Sequence, residues 1–408
     1  MRIGVTPLAD FLVSGRFTSL LVDFQNVSSL VSLDLFSCGL KGSISSDFLH
    51  RSSMSNIQLS FNSYLGGVIT HSFANFSMLQ TLALSWNNFT GDLPPFGSAS
   101  GIVFPFWRID LSHNNLKGGI PSSFGRLSSL QHLDLSYNQL HGLIPLFWDQ
   151  LSALSELHLE NNQLFGTFPH TISKLILLQK LFLSSNNLNG SISDSLLENL
   201  ANLKGLDFSG NQFVVDISLS WIPQLAQLEY LGLRSCNLQG EIPGFLSTQY
   251  SLQNVDLSEN HIVGNIPTWL WDLLDLQVLN LSHNRLEGSL PPVISMSNPS
   301  IDLHNNSLHG SIPDFTPLYL DMSENRFNGS IPRSICSGYS MIIFLDLSKN
   351  GLTLYPKIIS AFKLMDLSHN KLSGNLPLEI GDLKGLIALN ISNNSLRGSI
   401  PESLGGMG

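Results

Sequence analysis

The sequence predicts a curved, twisted α/β repeat solenoid, with a parallel β-sheet on its concave face and loops, short 3-10 turns or helical turns on its convex face. A unit with the skeleton L-x-x-L-x-L-x-x-N-x-L-x-G-x-I-P recurs along the chain, most completely from Leu130 to Pro145. Successive copies lie about 24 residues apart. Charged residues make up only 12% of the 408 residues, so Ser, Asn, Gln and Gly must supply most of the polar surface.

The repeat can be aligned on its asparagine, and sixteen copies then carry Asn or Cys at that place. These residues are Cys38, Asn62, Asn87, Asn114, Asn138, Asn162, Asn186, Asn211, Cys236, Asn260, Asn284, Asn306, Asn325, Asn350, Asn370 and Asn394. A period held over this length predicts one array at residues 30–404. We expect residues 1–29 to be an N-terminal segment with an incomplete cap, and residues 405–408 to be a truncated end.

Each fixed residue of the unit has a physical role. The Leu133-x-Leu135 alternation predicts a short strand with both leucines pointing inward. The amide of Asn138 can hydrogen-bond loop backbone in its own coil and the next one. Gly142 permits a positive φ. The proline of the Ile-Pro pair, Pro145, fixes its own φ where the chain begins its return.

Several places depart from the regular repeat. A Gly-, Ser- and Pro-containing insertion at 95–106 is expected to loop out of the array. Cys38 and Cys236 occupy the asparagine position, where a buried thiol acts as a small apolar group with a weak donor. We therefore expect both to be free and buried, and Cys336 to be unpaired on a return segment.

The bulk properties exclude several classes of function. A formal net charge of −10 without a basic stripe argues against a nucleic-acid partner. No apolar run reaches the roughly 18 residues that a membrane helix needs. The chain has no zinc-protease, P-loop or kinase motif, so we expect no enzymatic activity. Recognition of a partner on the concave face is then the expected role of such a solenoid.

The unit resembles the plant-specific leucine-rich repeat found in the ectodomains of receptor-like proteins and receptor-like kinases. The copies LDLSYNQLHGLIP, VDLSENHIVGNIP, LNLSHNRLEGSLP and LDMSENRFNGSIP carry this resemblance, which covers residues 30–404. It implies a peptide, hormone-like molecule or protein as ligand, and signalling with a co-receptor kinase in defence or development. It also implies a place on the extracellular side of the plasma membrane or in the cell wall, with a signal peptide and membrane helix in the full-length protein.

Two alternatives remain open within this resemblance. Polygalacturonase-inhibiting proteins share the repeat, so a secreted inhibitor of a cell-wall enzyme is one of them. The cysteine-bearing caps that the family usually carries are absent from this chain. The other alternative is therefore a truncated, non-signalling fragment.

The candidate ligand contacts are departures from the Asp and Ser that usually fill the exposed positions around the strand. They are Trp86, Arg108, His113, His132, Tyr137, Glu156, His158, Glu160, Lys180, Phe182, Tyr230 and Arg234. Aromatic residues and Arg are favoured at interface hot spots, although solvent-facing positions also vary freely. His132 and His158 with two glutamates have the side chains of a metal site. Nothing else supports one, so we expect no metal and no other cofactor.

Several Asn-x-Ser/Thr sequons occur in the chain, as expected of a repeat rich in Asn and Ser. Those at Asn88, Asn189 and Asn328 follow the predicted strand and are expected to lie in loops. We predict glycosylation at these three asparagines.

Overall fold

The computed structural model describes residues 2–3, 30–44, 54–71, 73, 77–97, 104–192, 194–197, 199–215, 227–297, 299–335, 342–354, 363–376, 378–383 and 385–406. The chain divides into two compact units. The first comprises residues 1–214 and 224–226, and the second comprises residues 215–223 and 227–408. We call them unit 1 and unit 2.

Unit 1 is a stack of coils, each with a main strand followed by a second, outer strand. The main strands are Arg2–Ile3, Ser32–Asp34, Asn56–Gln58, Thr81–Ala83, Arg108–Asp110, His132–Asp134, Glu156–His158, Lys180–Phe182 and Gly205–Asp207. The second strands are Lys41–Ser43, Tyr64–Val68, Asn88–Asp92, Asn115–Lys117, His141–Leu143, Gln163–Thr167, Asn187–Ile192 and Gln212–Val215. The return segments hold 3-10 helices at Ser122–Arg126, Phe147–Gln150 and His170–Lys174, and a short α-helix at Asp194–Leu197.

Unit 2 repeats the same plan. Its main strands are Tyr230–Gly232, Asn254–Asp256, Val278–Asn280, Ser300–Asp302, Tyr319–Asp321, Phe344–Asp346, Leu364–Asp366 and Ala388–Asn390. Its second strands are Gln239–Gly240, His261–Asn265, Arg285–Glu287, His309–Ser311, Arg326–Ser330, Gly351–Leu354, Ser373–Asn375 and Ser395–Arg397. Its 3-10 helices are Gly244–Thr248, Thr268–Asp272, Leu378–Asp382 and Glu402–Gly406.

The predicted parallel β-solenoid is confirmed within each unit. Neighbouring main strands pair in parallel and in register, so that Leu133 lies opposite Ile109 on one side and Leu157 on the other. These inward side chains, and Leu135 after the strand, are fully buried. The hydrophobic core is therefore a column that each coil extends by one layer.

The repeat asparagine lies close to the core and bonds backbone groups that leave the sheet. Asn138 Nδ2 lies 3.2 Å from the carbonyl oxygen of Leu135 and 3.0 Å from those of Ser136 and Leu111. Its Oδ1 accepts a hydrogen bond from the backbone N–H of Leu116, at 3.0 Å. The predicted asparagine hydrogen bonds are therefore present, but each asparagine amide bonds its own coil and the preceding coil rather than the next one.

The expectation of a looped-out insertion at 95–106 is wrong at both ends of the segment. Phe96, Phe104 and Phe106 are fully buried, and the rings of Phe96 and Phe106 lie 5.4 Å apart. Phe96 also packs against Phe124 of the return segment, at 5.5 Å. The physical reason is that aromatic rings at the ends of the segment gain more from burial than from solvent exposure. Residues 98–103 lie outside the described residues.

The cysteines at the asparagine position differ in burial. Cys236 is fully buried, and its thiol lies 3.5 Å from the carbonyl oxygen of Arg234. Cys38 has a free thiol but is only half-buried, so the expectation that it is buried is wrong. It lies in the first regular coil of the described chain. Cys336 is outside the described residues.

Candidate functional site

The repeat geometry presents two rows of side chains on each main strand. In His132–Asp134 the central leucine points inward, so the first and third residues point away from the core. Ser136 and Tyr137 then follow before the chain turns at the asparagine. We call the surface formed by these four positions, over all coils of a unit, the main-strand face. In-register pairing aligns equivalent positions of neighbouring coils.

The structure brings the predicted residues of unit 1 together on this face and places the other two in unit 2. Arg108, His132, Glu156 and Lys180 share the first strand position, and His158 and Phe182 share the third. Glu160 lies two residues after its strand, while Trp86, His113 and Tyr137 lie immediately before the repeat asparagine. Tyr230 and Arg234 belong to unit 2, where Arg234 Nη2 lies 2.5 Å from Glu259 Oε1.

A row of stacked aromatic rings runs across four consecutive coils of unit 1. The rings of Phe61 and Trp86 lie 5.4 Å apart, those of Trp86 and His113 3.7 Å apart, and those of His113 and Tyr137 4.1 Å apart. The interplanar angles along this row are 16°, 16° and 11°. We call these four residues the aromatic ladder. Phe36 adds a tilted ring beside Phe61, at 5.0 Å.

The backbone of the repeat holds the aromatic ladder in place. Its four residues have φ between 52° and 61°, in the left-handed region that non-glycine residues rarely adopt. Asn161 and Ser185 take the same conformation in the next two coils, so the turn imposes it whatever the side chain. The residues of the ladder therefore occupy a conformation that costs about 1–2 kcal/mol each. Each stacked pair returns about 0.5–1.5 kcal/mol.

The aromatic ladder remains open to solvent despite the stacking. Phe61, Trp86 and Tyr137 are each 46–48% exposed. Beside them lies a shallow groove of about 470 Å³, lined by Trp86, Asn87, His113, Asn114, Asn115, Tyr137, Asn138 and Asn161. Contiguous exposed apolar surface is uncommon on monomeric proteins, so this strip is a candidate contact surface. Phe61 is not among the residues predicted from the sequence, although its place directly before Asn62 matches that of Trp86 before Asn87.

Charged side chains form a second group on the same face. Glu156 is at its centre: its Oε2 lies 2.6 Å from His132 Nδ1 and 3.9 Å from His158 Nε2, and its Oε1 lies 3.1 Å from Lys180 Nζ. His158 Nδ1 is 3.6 Å from Glu160 Oε1. We call these five residues the charged cluster. It lies beside the ladder, since the backbone N–H of Tyr137 donates to the carbonyl oxygen of Glu160 at 2.9 Å.

The two histidines of the charged cluster have opposite pKa shifts. Burial, reinforced by the positive charge of Arg108, lowers the pKa of His132 although Glu156 opposes the shift. Burial also acts to lower the pKa of His158, but the hydrogen bond and charge of Glu160 and the charge of Asp134 outweigh it, so this pKa is raised. His158 is therefore the histidine that gains a proton first as the pH falls.

Several polar atoms of the charged cluster lack partners. Within the part of the chain that the structure describes, His132 Nε2, His158 Nε2 and Glu160 Oε2 are buried without a hydrogen bond. Each such group costs about 1–3 kcal/mol. Three such atoms at one place make the charged cluster a candidate functional site.

Neither histidine of the charged cluster belongs to a three-ligand metal arrangement. The described residues hold one group of three side chains whose ligand atoms all lie within 4.8 Å, namely Asp302, His304 and Asp321 of unit 2. His304 Nδ1 is 3.1 Å from Asp302 Oδ1, which an ion pair without a metal also explains. None of these three residues was predicted from the sequence as a site residue.

The glycosylation candidates are exposed but lie in second strands rather than loops. Asn88 and Asn189 are in Asn88–Asp92 and Asn187–Ile192, and Asn328 is in Arg326–Ser330. Asn88 Oδ1 accepts a hydrogen bond from Asn115 Nδ2 at 2.7 Å.

We predict that all three asparagines carry glycans when the chain is made in a plant secretory pathway. Changing all three to Gln should increase gel mobility and remove most of the mobility shift that an N-glycosidase produces. Peptide mass spectrometry would assign each site. An unchanged mobility of the triple variant would contradict the assignment.

Comparisons with known proteins agree with this geometry. A family model described as "Leucine rich repeat" matches residues 108–164. A second, described as "Leucine Rich Repeat", matches residues 227–248, 251–273, 275–296, 316–337, 361–383 and 385–407. The chain is therefore a leucine-rich repeat protein.

Within this class, the chain is homologous to plant receptor-like proteins. It is 30% identical to Receptor-like protein 35 of Arabidopsis thaliana over 226 residues, which is 51% of this chain and 24% of that protein. It is 36% identical to Receptor-like protein 6 of the same plant over 187 residues, or 43% of this chain and 18% of that protein. The chain thus spans a quarter or less of the length of these curated relatives.

Solved structures of plant receptor ectodomains share the fold. The Arabidopsis receptor kinase HAESA, in complex with the peptide hormone IDA and the co-receptor SERK1, matches with a TM-score of 0.78 and 33% identity, over 94% of this chain and 69% of that one. The ectodomain of GASSHO1/SCHENGEN3 from Arabidopsis thaliana, in complex with CASPARIAN STRIP INTEGRITY FACTOR 2, matches with a TM-score of 0.71 and 29% identity. That match covers 94% of this chain and 50% of the other. No helix among the described residues has the length and apolar character needed to cross a membrane.

Proposed function

We propose that this chain is the ligand-recognition part of a plant receptor-like protein, and that it binds a peptide or protein on its main-strand face. The proposal rests on the positions of the main-strand face at which the usual Asp or Ser is replaced by another residue. In unit 1 these departures form two adjoining groups, the aromatic ladder and the charged cluster, on a surface that the fold does not need. Structural residues of the repeat point the other way, into the core.

The proposed mechanism is binding without catalysis. A partner covering the main-strand face would bury the exposed rings of the ladder and place its own polar groups beside the charged cluster. HAESA is solved with a peptide and with a co-receptor. By analogy we propose that ligand binding to this chain recruits a co-receptor kinase on the extracellular side of the plasma membrane.

The test is selection of binders from a library of random twelve-residue peptides displayed on phage, with the whole chain as bait. We expect saturable binders whose affinity falls at least about tenfold when four face residues are changed to Ala. These are Tyr137, Glu156, His158 and Glu160, all on the main-strand face of unit 1.

The matched control changes four exposed residues outside this face to Ser. Leu146, Ile176, Tyr250 and Leu274 serve this purpose because all are more than half exposed. Binding should survive these changes. A selection that yields no saturable binder would refute peptide recognition, and binders indifferent to the four Ala changes would refute the placement.

A further inference from the structure

We propose that the aromatic ladder and the adjoining carboxylates Asp134 and Glu160 form one binding strip for an extended peptide segment, with apolar side chains on the ladder and a Lys or Arg at the carboxylates. This inference rests on the proposed function and adds the chemical class of the ligand. It is carried by the way the rings stack and by the balance of charge beside them.

The stacking determines which surface a ligand meets. Because Trp86 and His113 are covered on both faces by neighbouring rings, they present their edges to solvent. A sugar that binds aromatics by packing on a ring face finds few free faces here. The aligned edges instead form a continuous apolar strip, suited to aliphatic or aromatic side chains.

The length of the strip fits a short extended segment. An extended chain rises about 3.3 Å per residue. About four or five residues therefore cover the ring-to-ring steps of 5.4, 3.7 and 4.1 Å. Such a segment can alternate its side chains between the ladder and the neighbouring row of the main-strand face.

The charge beside the ladder is unbalanced. Arg108 Nη2 lies 3.2 Å from Asp110, and Lys180 pairs with Glu156, so the two cations on this part of the face are already engaged. Among the described residues, neither Asp134 nor Glu160 has a Lys or Arg within ion-pair distance.

Both carboxylates lie close to the ladder. Together with Asp110, they act to raise the pKa of His113, although burial outweighs them and lowers it overall. Both carboxylates also act to raise the pKa of His158. A Lys or Arg from a ligand would neutralise the excess negative charge.

The repeat itself supplies substitutions that remove each feature without harming the coil. Trp86→Asn and Tyr137→Asn introduce the residue that other coils place in the same left-handed conformation, as at Asn161. Glu160→Ser restores the residue found at Ser136. Asp134→Asn copies Asn280, whose Oδ1 accepts the same two hydrogen bonds from its serine as Asp134 accepts from Ser136.

The experiment uses peptides enriched from the random dodecapeptide library on the unaltered chain. We expect them to combine neighbouring apolar residues with a Lys or Arg. The double ladder variant should weaken binding at least about tenfold, and the variant carrying both carboxylate changes at least about fivefold. Replacing the peptide's Lys by norleucine, or its Arg by citrulline, should weaken binding to the unaltered chain but make little difference to the carboxylate variant.

Two matched changes in unit 2 are the control. Glu324→Asn alters the equivalent left-handed position and Asp321→Asn the equivalent strand position, and neither should change affinity. The unaltered chain and all variants are made in a host without N-glycosylation, because Asp134→Asn and Asp321→Asn each create an Asn-x-Ser sequon and Asn88 already begins one near the ladder.

The outcomes separate this inference from the proposed function. Enriched peptides that bind the ladder variant as tightly as the unaltered chain would overturn the inference and leave peptide recognition standing. Peptides that need the ladder but carry no cation would overturn the role of the carboxylates. Failure to enrich any peptide would overturn both proposals.

Discussion

Replacing Asn138 with Ala should lower the free energy of unfolding by about 3–5 kcal/mol. The change removes the acceptor of the Leu116 N–H and the donor to the carbonyl oxygens of Leu111 and Leu135. These groups are close to the core, where water does not replace the lost partner. Urea unfolding would measure the loss, and hydrogen exchange at the Leu116 amide would locate it. The effect should be largest in the coils on either side, since each coil contacts only its neighbours.

Asn138→Cys is the matched variant, because Cys236 occupies the same position in another coil. A thiol fills part of the space and donates weakly, so we expect a smaller loss than with Ala. An Ala variant with the stability and amide protection of the unaltered chain would contradict the stabilising role given to the hydrogen bonds of Asn138.

Replacing Trp148 with Ala should cost about 3–5 kcal/mol, the usual range for deletion of a fully buried large aromatic side chain. Trp148 is completely buried in the 3-10 helix Phe147–Gln150, and its ring lies 4.9 Å from that of Phe147. Removing the indole leaves a cavity in the layer between main strand and return segment, and close-packed neighbours fill it only in part.

Trp148→Phe distinguishes lost volume from lost polarity. The indole Nε1 is buried without a hydrogen-bond partner among the described residues. Phe keeps part of the ring and removes this unsatisfied donor, so it should cost much less than Ala. Thermal and urea unfolding of both variants would decide. Equal destabilisation by Phe and Ala would contradict this expectation and show that only the complete indole fills the position.

The fold could be predicted from the sequence because every copy of the repeat carries the same pattern of inward leucines and turn-forming asparagine. Leu133, Leu135 and Asn138 behave as their positions in the unit indicate, and so do their equivalents. The direction of the asparagine bonds was not predictable. An amide can reach either neighbouring coil, and the handedness of the coil decides which carbonyl lies within reach.

The candidate site was predicted only in part. The rule that departures from Asp and Ser mark the exposed face found Trp86, His113 and Tyr137, and these stack directly. Phe61 was missed because its copy of the repeat is irregular: Tyr64 is an additional residue between Asn62 and the leucine that follows it. The ends of the 95–106 insertion were misjudged because turn residues in the sequence outweighed its phenylalanines.

The sequence by itself determined the coil: which side chains point inward, where the chain turns, and which positions are left for recognition. These follow from a local alternation and a period of about 24 residues, and need no knowledge of neighbours. Only the tertiary structure decided which exposed residues meet. His132 and Glu156 are 24 residues apart yet in contact at 2.6 Å, because parallel pairing in register stacks equivalent positions. Tyr230 and Arg234 lie in the other compact unit. Their spacing along the chain does not show this, because the repeat continues through both units.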